Sequence, residues 1–153
     1  MPTTIQALCA PPDGLGWGAV KLRFAGIVPA DVSAGLVPYY HFLILLADGT
    51  EVGHINFRLG LSEHVRISAG HIGYEIREPF RGHGYALNAC HAIAPFVRSL
   101  YPRVIITCDP ENHPSRRTIE KLGASFIEEI DVPRHDPQYR PGGRRKRRYE
   151  WIP

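Results

Sequence analysis

The sequence predicts a mixed α/β (α+β) fold, in which a mostly antiparallel sheet of 6–7 strands is flanked by helices. Seven short segments have the alternation or the β-branched composition of strands, and amphipathic helical patterns occur only in the second half. The 153 residues include 15 glycines and 14 prolines, which predicts many turns and excludes a long coiled coil. This length fits one compact domain, so we expect residues 1–153 to form a single domain, with residues 1–18 as an irregular arm.

The first half of the chain has the pattern of strands joined by turns. Asp48-Gly49 lies between two apolar segments and is a hairpin signal, because both residue types tolerate the left-handed backbone of a tight turn. The segment 28–40 carries prolines and a glycine without a helical period, so we expect a loop with at most one short helix. The predicted strands are 20–27, 41–46, 51–58 and 70–77.

The second half alternates helices with strands. Apolar residues at spacings of three and four predict a helix over 85–100, which Pro95 is expected to kink or to divide. Pro114 fits the first turn of a second helix, and Gly123 fits its end. Because a helix connects the strand over 70–77 with the next one, we expect a parallel element there. The remaining predicted strands are 103–108, 125–132 and 146–152.

Composition excludes several function classes. The formal net charge is +3, too small to indicate nucleic-acid binding by itself, and no apolar stretch reaches the length of a membrane span. The N-terminus lacks the features of a signal peptide. Cys9, Cys90 and Cys108 are widely spaced and form no CxxC pattern, which favours free thiols in a reducing compartment and no metal site. We therefore expect a cytoplasmic protein with no membrane partner.

One glycine-rich turn stands out as a ligand-binding candidate. Arg81-Gly82-His83-Gly84-Tyr85-Ala86 follows a predicted strand and opens a predicted helix. A helix N-terminus offers unpaired N–H groups and the positive end of the helix dipole, and glycines let a ligand approach the backbone. These properties suit a diphosphate. The segment is not a P-loop, and it lacks the third glycine of a dinucleotide-binding fingerprint.

Arg81-x-x-Gly84-x-Ala86 and a second motif, Asn112-x-x-Ser115 followed by Glu120-Lys121-x-Gly123, together make the chain similar to the GNAT superfamily of N-acetyltransferases. The first, Arg81-x-x-Gly84-x-Ala86 after an apolar strand, resembles the acyl-CoA-binding motif of that family. The second, Asn112-x-x-Ser115 followed by Glu120-Lys121-x-Gly123, resembles the branch that acetylates the N-termini of ribosomal proteins and small amines. The resemblance implies a sheet splayed between the strands over 70–77 and 103–108, where the donor, acetyl-CoA, is admitted.

The resemblance also implies which residues hold acetyl-CoA. Backbone groups near Ile76 and Glu78 would pair with the pantetheine arm like an added strand. Asn112 would bond pantetheine or order its loop as a helix N-cap. Arg116 or Arg117 begins a helix, where the dipole disfavours cations, so either is a candidate partner for the CoA phosphates. The pyrophosphate would be held by the backbone N–H groups of Arg81, Gly82, His83, Gly84, Tyr85 and Ala86.

The catalytic residues are less clearly marked. Ile119 occupies the position where many members of the family have a tyrosine acid, and a serine at the position of Ser115 has that role in the resembling branch. Transfer to an amine needs a proton acceptor. His71 and Glu75 are the candidate bases, and period-2 alternation places them on one face of their strand. Tyr74, on the opposite face, is a core residue or a substrate wall in preference to an acid. His54 and Arg58 are candidates to line the substrate side.

These features leave more than one function open. The leading hypothesis is acetyl transfer from acetyl-CoA to a primary amine of a small molecule or a peptide N-terminus, by direct attack in a ternary complex. The alternative is a non-catalytic acyl-CoA-binding or regulatory module. The basic run over 144–148 is either a solvated strand end or a contact for phosphate, in RNA or in CoA. Nucleic-acid binding is not favoured. The segment 28–40, which builds much of the acceptor site in the family, is short here, so the site is either open or closed by a second subunit in a homodimer.

Overall fold

The computed structural model describes residues 8–153, and the bounds of its elements follow the sequence pattern closely. The strands are β1 (Gly16–Trp17), β2 (Val20–Val28), β3 (Tyr39–Leu46), β4 (Glu51–Arg58), β5 (Ile72–Ile76), β6 (Val104–Cys108), β7 (Ser125–Asp131) and β8 (Arg145–Trp151). The α-helices are α1 (Tyr85–Leu100) and α2 (His113–Lys121), and short helical turns span Val32–Ala34, His64–Ala69 and Glu78–Phe80.

The strands form two sheets, and the predicted fold class is confirmed. One sheet has the order β1-β2-β3-β4-β5 and the other the order β6-β8-β7, and every registered pair in the described residues is antiparallel. Gly16–Trp17 forms an eighth strand within the segment expected to be an irregular arm, of which residues 1–7 lie outside the described part. A parallel pairing was expected between β5 and β6. The two strands are neighbours, but they belong to different sheets and form no hydrogen-bonded β-ladder with each other.

Local sequence signals account for the connections. The Asp48 carboxylate accepts a hydrogen bond from the N–H of Thr50 (2.9 Å), and Gly49 has a φ of 89°, so the predicted hairpin joins β3 to β4. The short helix Val32–Ala34 is the one element inside the predicted loop. Helix α1 continues through Pro95, so that proline does not divide it. Helix α2 has proline in its first turn, and Gly123 follows with a φ of 80°.

The core lies between the five-stranded sheet and α1. Alternate residues of β3 and β4, including Tyr40, Phe42 and Phe57, are almost fully buried there. The ring of Phe96 in α1 packs edge-on against the ring of Tyr40, with centroids 4.8 Å apart. The opposite face of β4 carries the polar side chains of His54, Asn56 and Arg58, so that α1 packs against one face of this strand and the other face is polar.

His71 joins the two sheets. Its N–H donates to the carbonyl of Ile105 (2.7 Å), and its Nδ1 accepts from the N–H of Ile105 (3.0 Å). Since Nδ1 accepts, Nε2 carries the proton and donates to the carbonyl of Gly60 (2.9 Å). Burial lowers the pKa of this ring, which is 2% exposed. Both nitrogens of His71 are thus held by the backbone at the point where β5 and β6 begin to diverge.

We expect this joint to make stability depend on pH. A histidine whose pKa is lower in the folded state binds fewer protons there than when unfolded, so the free energy of unfolding falls as pH drops below about 6.5. His71→Gln should unfold more easily at pH 8, by about 1–3 kcal/mol, because buried backbone groups lose partners. The variant should also lose part of the pH dependence, measured by denaturant titration between pH 5 and pH 8.

His54 is the matched control for this measurement. Burial, followed by the proximity of His41, also lowers the pKa of His54, so His54→Gln should reduce the pH dependence with little loss of stability at pH 8. A His71→Gln variant with wild-type pH dependence and wild-type stability would contradict the role of the His71 ring as the joint between the sheets.

The basic run is paired with carboxylates. Arg144 binds both carboxylate oxygens of Asp109 (3.0 Å each), and the Nζ of Lys146 lies 3.0 Å from the same carboxylate, with its side chain only 8% exposed. The interpretation as a solvated strand end is therefore wrong for Lys146, because the position packs into the second sheet. Arg145 and Arg148 pair with Glu129, Asp131 and Glu128, and Arg147 lies 4.1 Å above the ring of Phe126.

Candidate active site

A large cavity of about 600 Å³ opens where β5 diverges from β6. We call it the large cavity. It is lined by residues 74–76 of β5, by residues 80–82 and 84–87, and by six residues between Asn112 and Lys121. Its cationic side chains are Arg81, Arg117 and Lys121, and its one carboxylate is Glu75. The lining therefore favours an anionic ligand at the end near α1 and α2.

The glycine turn has the geometry of an anion site. Gly82 and Gly84 have φ values of 86° and 75°, which favour glycine, and no atom lies within 4 Å of where a Cβ would stand on either one. The first hydrogen bond of α1 runs from the N–H of Asn88 to the carbonyl of Gly84 (3.0 Å). The earlier N–H groups of the first turn therefore have no intrahelical partners, and they belong to residues that line the large cavity. This arrangement fits the phosphates of a nucleotide-like ligand.

The edge of β5 is open for pairing. The N–H of Arg77 donates to Val52 (2.8 Å) and the N–H of Arg58 donates to His71 (2.7 Å), so the odd-numbered residues of β5 face β4. The backbone groups of Tyr74 and Ile76 face the cavity instead. The carbonyl of Ile76 accepts from the Arg81 Nε (2.8 Å), which leaves the groups of Tyr74 and the N–H of Ile76 for an added strand.

Some of the other predicted cofactor-binding residues line the large cavity, and others do not. Arg81, Tyr85 and Ala86 line the large cavity, while the exposed side chains of Glu78 and His83 do not. The His83 ring instead lies beside the ring of Tyr85, with centroids 5.3 Å apart. Of the two arginines at the start of α2, Arg117 lines the cavity, whereas Arg116 turns its Nη1 to the carbonyl of Pro110 (3.2 Å).

Asn112 and Ser115 have separate roles at the start of α2. The side-chain oxygen of Asn112 accepts from the N–H of Ser115 (3.2 Å), so Asn112 is the N-cap. The hydroxyl of Ser115 is therefore free of capping and lies 2.8 Å from the hydroxyl of Tyr74, across the splay of the sheet. Burial raises the pKa of Tyr74 well above its usual value, so its hydroxyl is protonated at neutral pH. The two hydroxyls form one hydrogen-bonded pair.

The two candidate bases lie in different surroundings. Glu75 is exposed and lines the large cavity, and it stands opposite His54 in the register of β4 and β5. His71 is buried with both nitrogens bonded to the backbone, so its ring does not reach the cavity. Of the two, Glu75 lines a cavity and His71 does not.

A small cavity of about 190 Å³ adjoins the large one, and Tyr74, Asn112 and Ser115 line both. We call it the small cavity. It lies between Gly73 of β5 and Thr107 of β6. Cys108 lines it too, and burial raises the pKa of that thiol to about 11, which leaves it a poor nucleophile at neutral pH. Within residues 8–153, no three His, Cys, Asp or Glu side chains come together as a metal site.

Comparison with known proteins identifies the family of this fold. A model of the acetyltransferase (GNAT) domain family matches residues 19–125, which include β2–β6, both α-helices and the whole lining of the large cavity. The chain belongs to the GNAT acetyltransferase family. The resemblance drawn from the two motifs is therefore confirmed, and the splay between β5 and β6 is the cleft that it implied.

Individual GNAT relatives share part of their length with this chain. The uncharacterized N-acetyltransferase YnaD of Bacillus subtilis (strain 168) is 35% identical over 83 residues, 53% of this chain and 46% of YnaD. The chain thus spans about half the length of this curated relative. A GNAT-family acetyltransferase from Bacillus anthracis is 28% identical with a TM-score of 0.58, covering 73% of this chain and 65% of that one.

A more distant GNAT structure shares the fold and contains a ligand. RimL, a ribosomal L7/L12 alpha-N-protein acetyltransferase in complex with coenzyme A, is 18% identical with a TM-score of 0.56, covering 74% of this chain and 62% of RimL.

In the described part of this GNAT chain, no helix is long and apolar enough to cross a membrane.

Sequence reasoning did not find the Tyr74–Ser115 pair or the small cavity. The pair joins residues 41 positions apart, and only the approach of α2 to β5 brings them together. One signal was available, because the alternation of β5 places Tyr74 on the face opposite Glu75. No local signal shows that Arg117 lines the large cavity and Arg116 does not, because this difference depends on how α2 packs against β6.

Proposed function

We propose that the protein transfers an acetyl group from acetyl-CoA to a primary amine by direct attack within a ternary complex. The observation that carries this proposal is the Tyr74–Ser115 hydroxyl pair, which lies between the two cavities and lines both. A donor in the large cavity and an acceptor approaching from the polar face of the sheet would meet at this pair.

The residues of the large cavity fit the donor. The free N–H groups of the first turn of α1 would hold the pyrophosphate, with Arg117 and Lys121 balancing its charge. The open edge of β5 at Tyr74 and Ile76 would pair with the pantetheine arm. Acetyl-CoA supplies the activated thioester. Because the thioester lies at the end of the pantetheine arm, the acetyl group would be brought to the Tyr74–Ser115 pair.

The protons then have defined routes. The amine nitrogen forms a bond to the acetyl carbon while the bond from that carbon to sulphur breaks. Glu75 accepts a proton from the amine, directly or through water. Ser115, polarised by its hydrogen bond with Tyr74, delivers a proton to the leaving sulphur and regains one from solvent. Direct attack by the amine involves no acetylated cysteine, and burial raises the pKa of the Cys108 thiol, which makes it a poor nucleophile.

The acceptor side is open, which suits a peptide N-terminus as well as a small amine. The connection between β2 and β3 contains one helical turn, Val32–Ala34, and none of its residues lines either cavity. The proposal is tested by incubating the protein with acetyl-CoA and a panel of peptide N-termini and polyamines, with CoA release and product mass as readouts. Acetyl-CoA binding without release of CoA above the amine-free rate would favour the non-catalytic module instead.

The role of Glu75 gives a prediction within this assay. Glu75→Gln should lower kcat/KM for the amine by about 10²–10³-fold at pH 7, because the proton acceptor is lost. The loss should shrink as pH rises past about 8, where more of a peptide N-terminus is already neutral. The measurement is the pH dependence of kcat/KM for both proteins.

Glu120 provides the control for Glu75. It is an exposed carboxylate of α2 that lines neither cavity, so Glu120→Gln should retain wild-type rates at every pH. Equal loss in the two variants, or a loss in Glu75→Gln that does not diminish at high pH, would refute proton acceptance by Glu75.

A further inference from the structure

The small cavity carries more positive than negative charge. Its lining contains Arg58, Arg144 and Lys146 but one carboxylate, Asp109. Arg144 and Lys146 both bind Asp109 at 3.0 Å, so these three side chains form a network of their own with one surplus positive charge. Arg58 has no carboxylate within ion-pair distance among residues 8–153. A cavity of this charge favours an anion.

Arg58 has donors to spare. Its Nη1 donates to the carbonyls of Ala69 (3.2 Å) and Gly70 (3.4 Å), which fixes the guanidinium at the end of the short helix His64–Ala69. Its Nε and Nη2 make no hydrogen bond to any described residue. An arginine keeps its charge at neutral pH, and its fork suits a carboxylate or a phosphate. Arg58 is one of the residues that line the small cavity.

Gly73 makes room for this guanidinium. A Cβ on Gly73 would lie 2.8 Å from the Nη1 and 3.0 Å from the Nη2 of Arg58, so the absence of a side chain there lets Arg58 lie over β5. Gly73 is two residues from Glu75 on the same face of the strand. The guanidinium therefore lies about 7 Å along β5 from the position of the proton acceptor.

We propose that Arg58 binds an anionic group of the acceptor, a carboxylate or a phosphate, so that the preferred substrates are amines that carry such a group a few bonds away. This inference rests on the proposed acetyl transfer and adds the substrate class. The amine would stand at Glu75 and the anion at Arg58, with the surplus charge of the Arg144–Lys146–Asp109 network strengthening the attraction.

Matched acceptors test the proposal. Each pair differs in the anionic group: O-phosphoethanolamine against ethanolamine, and a peptide beginning with Asp against the same peptide beginning with Asn. The wild-type protein should favour the charged member by about tenfold or more in kcat/KM, mainly through KM, because a charge-assisted hydrogen bond is gained. A preference in one pair alone identifies the source of the anion as phosphate or as carboxylate.

Substitutions of Arg58 assign the preference to this side chain. Arg58→Gln should reduce the ratio of charged to neutral acceptor to about one, while Arg58→Lys should keep part of it, since charge remains without the fork. Arg103→Gln is the control, because that arginine is 63% exposed and lines neither cavity. Melting temperatures and acetyl-CoA affinity are measured for each variant, so that a folding defect is separated from a loss of selectivity.

The outcomes separate this inference from the proposed function. No preference in the wild-type protein, or an unchanged ratio in Arg58→Gln, overturns the anion site while acetyl transfer stands. If acetyl-CoA binds but no amine is acetylated, the proposed function fails, and binding of O-phosphoethanolamine to the CoA-loaded protein is measured by calorimetry instead. Binding that is lost in Arg58→Gln supports the anion site, and absence of binding in the wild-type protein refutes it.

Discussion

Gly84→Glu is expected to weaken acetyl-CoA binding by at least about 100-fold, because two or more amide–phosphate hydrogen bonds are lost at the start of α1. The position has open space around it in the large cavity, so the new side chain would occupy the site of the pyrophosphate rather than disturb the core. Its carboxylate would also repel the phosphates. Titration calorimetry of the purified variant with acetyl-CoA measures the effect.

Gly49→Glu separates this effect from backbone strain. Gly49 has a φ of 89°, close to the 75° of Gly84, and nothing lies within 4 Å of its Cβ position either. Both substitutions therefore impose a similar strain, of about 1–3 kcal/mol, but Gly49 is in the hairpin between β3 and β4. Wild-type affinity in Gly49→Glu with lost affinity in Gly84→Glu is the expected result. Wild-type affinity in both would refute the phosphate site.

Ser115→Ala is expected to lower kcat by about 10²–10³-fold, with the dissociation constant of acetyl-CoA changed by less than about threefold. The hydroxyl of Ser115 does not cap α2, since Asn112 does, so its removal leaves the helix start intact. Tyr74→Phe removes the partner hydroxyl and should lower kcat by about 10–10²-fold. Steady-state rates with saturating donor and acceptor check both values.

The double variant tests whether the two hydroxyls act as one pair. If they do, Tyr74→Phe combined with Ser115→Ala should be little worse than Ser115→Ala alone, because the second substitution removes a group that acts through the first. Multiplied effects would show that the hydroxyls act independently. Ser99→Ala is the control: its hydroxyl bonds the carbonyl of Phe96 at the end of α1 and lines neither cavity, so kcat should not change.

The sequence alone predicted the glycine turn before α1 and the start of α2, because the signals there are local. Gly82 and Gly84 need positive φ values, and the helix that follows exposes its first N–H groups wherever it packs. Asn112 caps α2 through a residue three positions away. Period-2 alternation likewise places Glu75 and Tyr74 on opposite faces of β5. Each of these features is settled within a few residues of chain.

Only the tertiary structure decided which side chains act together. Tyr74 meets Ser115, Arg58 lies over Gly73, and Arg144 binds Asp109, across separations of 41, 15 and 35 residues. The tertiary structure also argues against His71 as a base, because its two ring nitrogens are hydrogen-bonded to the carbonyl of Gly60 and the N–H of Ile105. These contacts depend on the angle at which β5 and β6 diverge and on the packing of α2 across the splay. Those quantities are set by the whole core, and no short stretch of sequence encodes them.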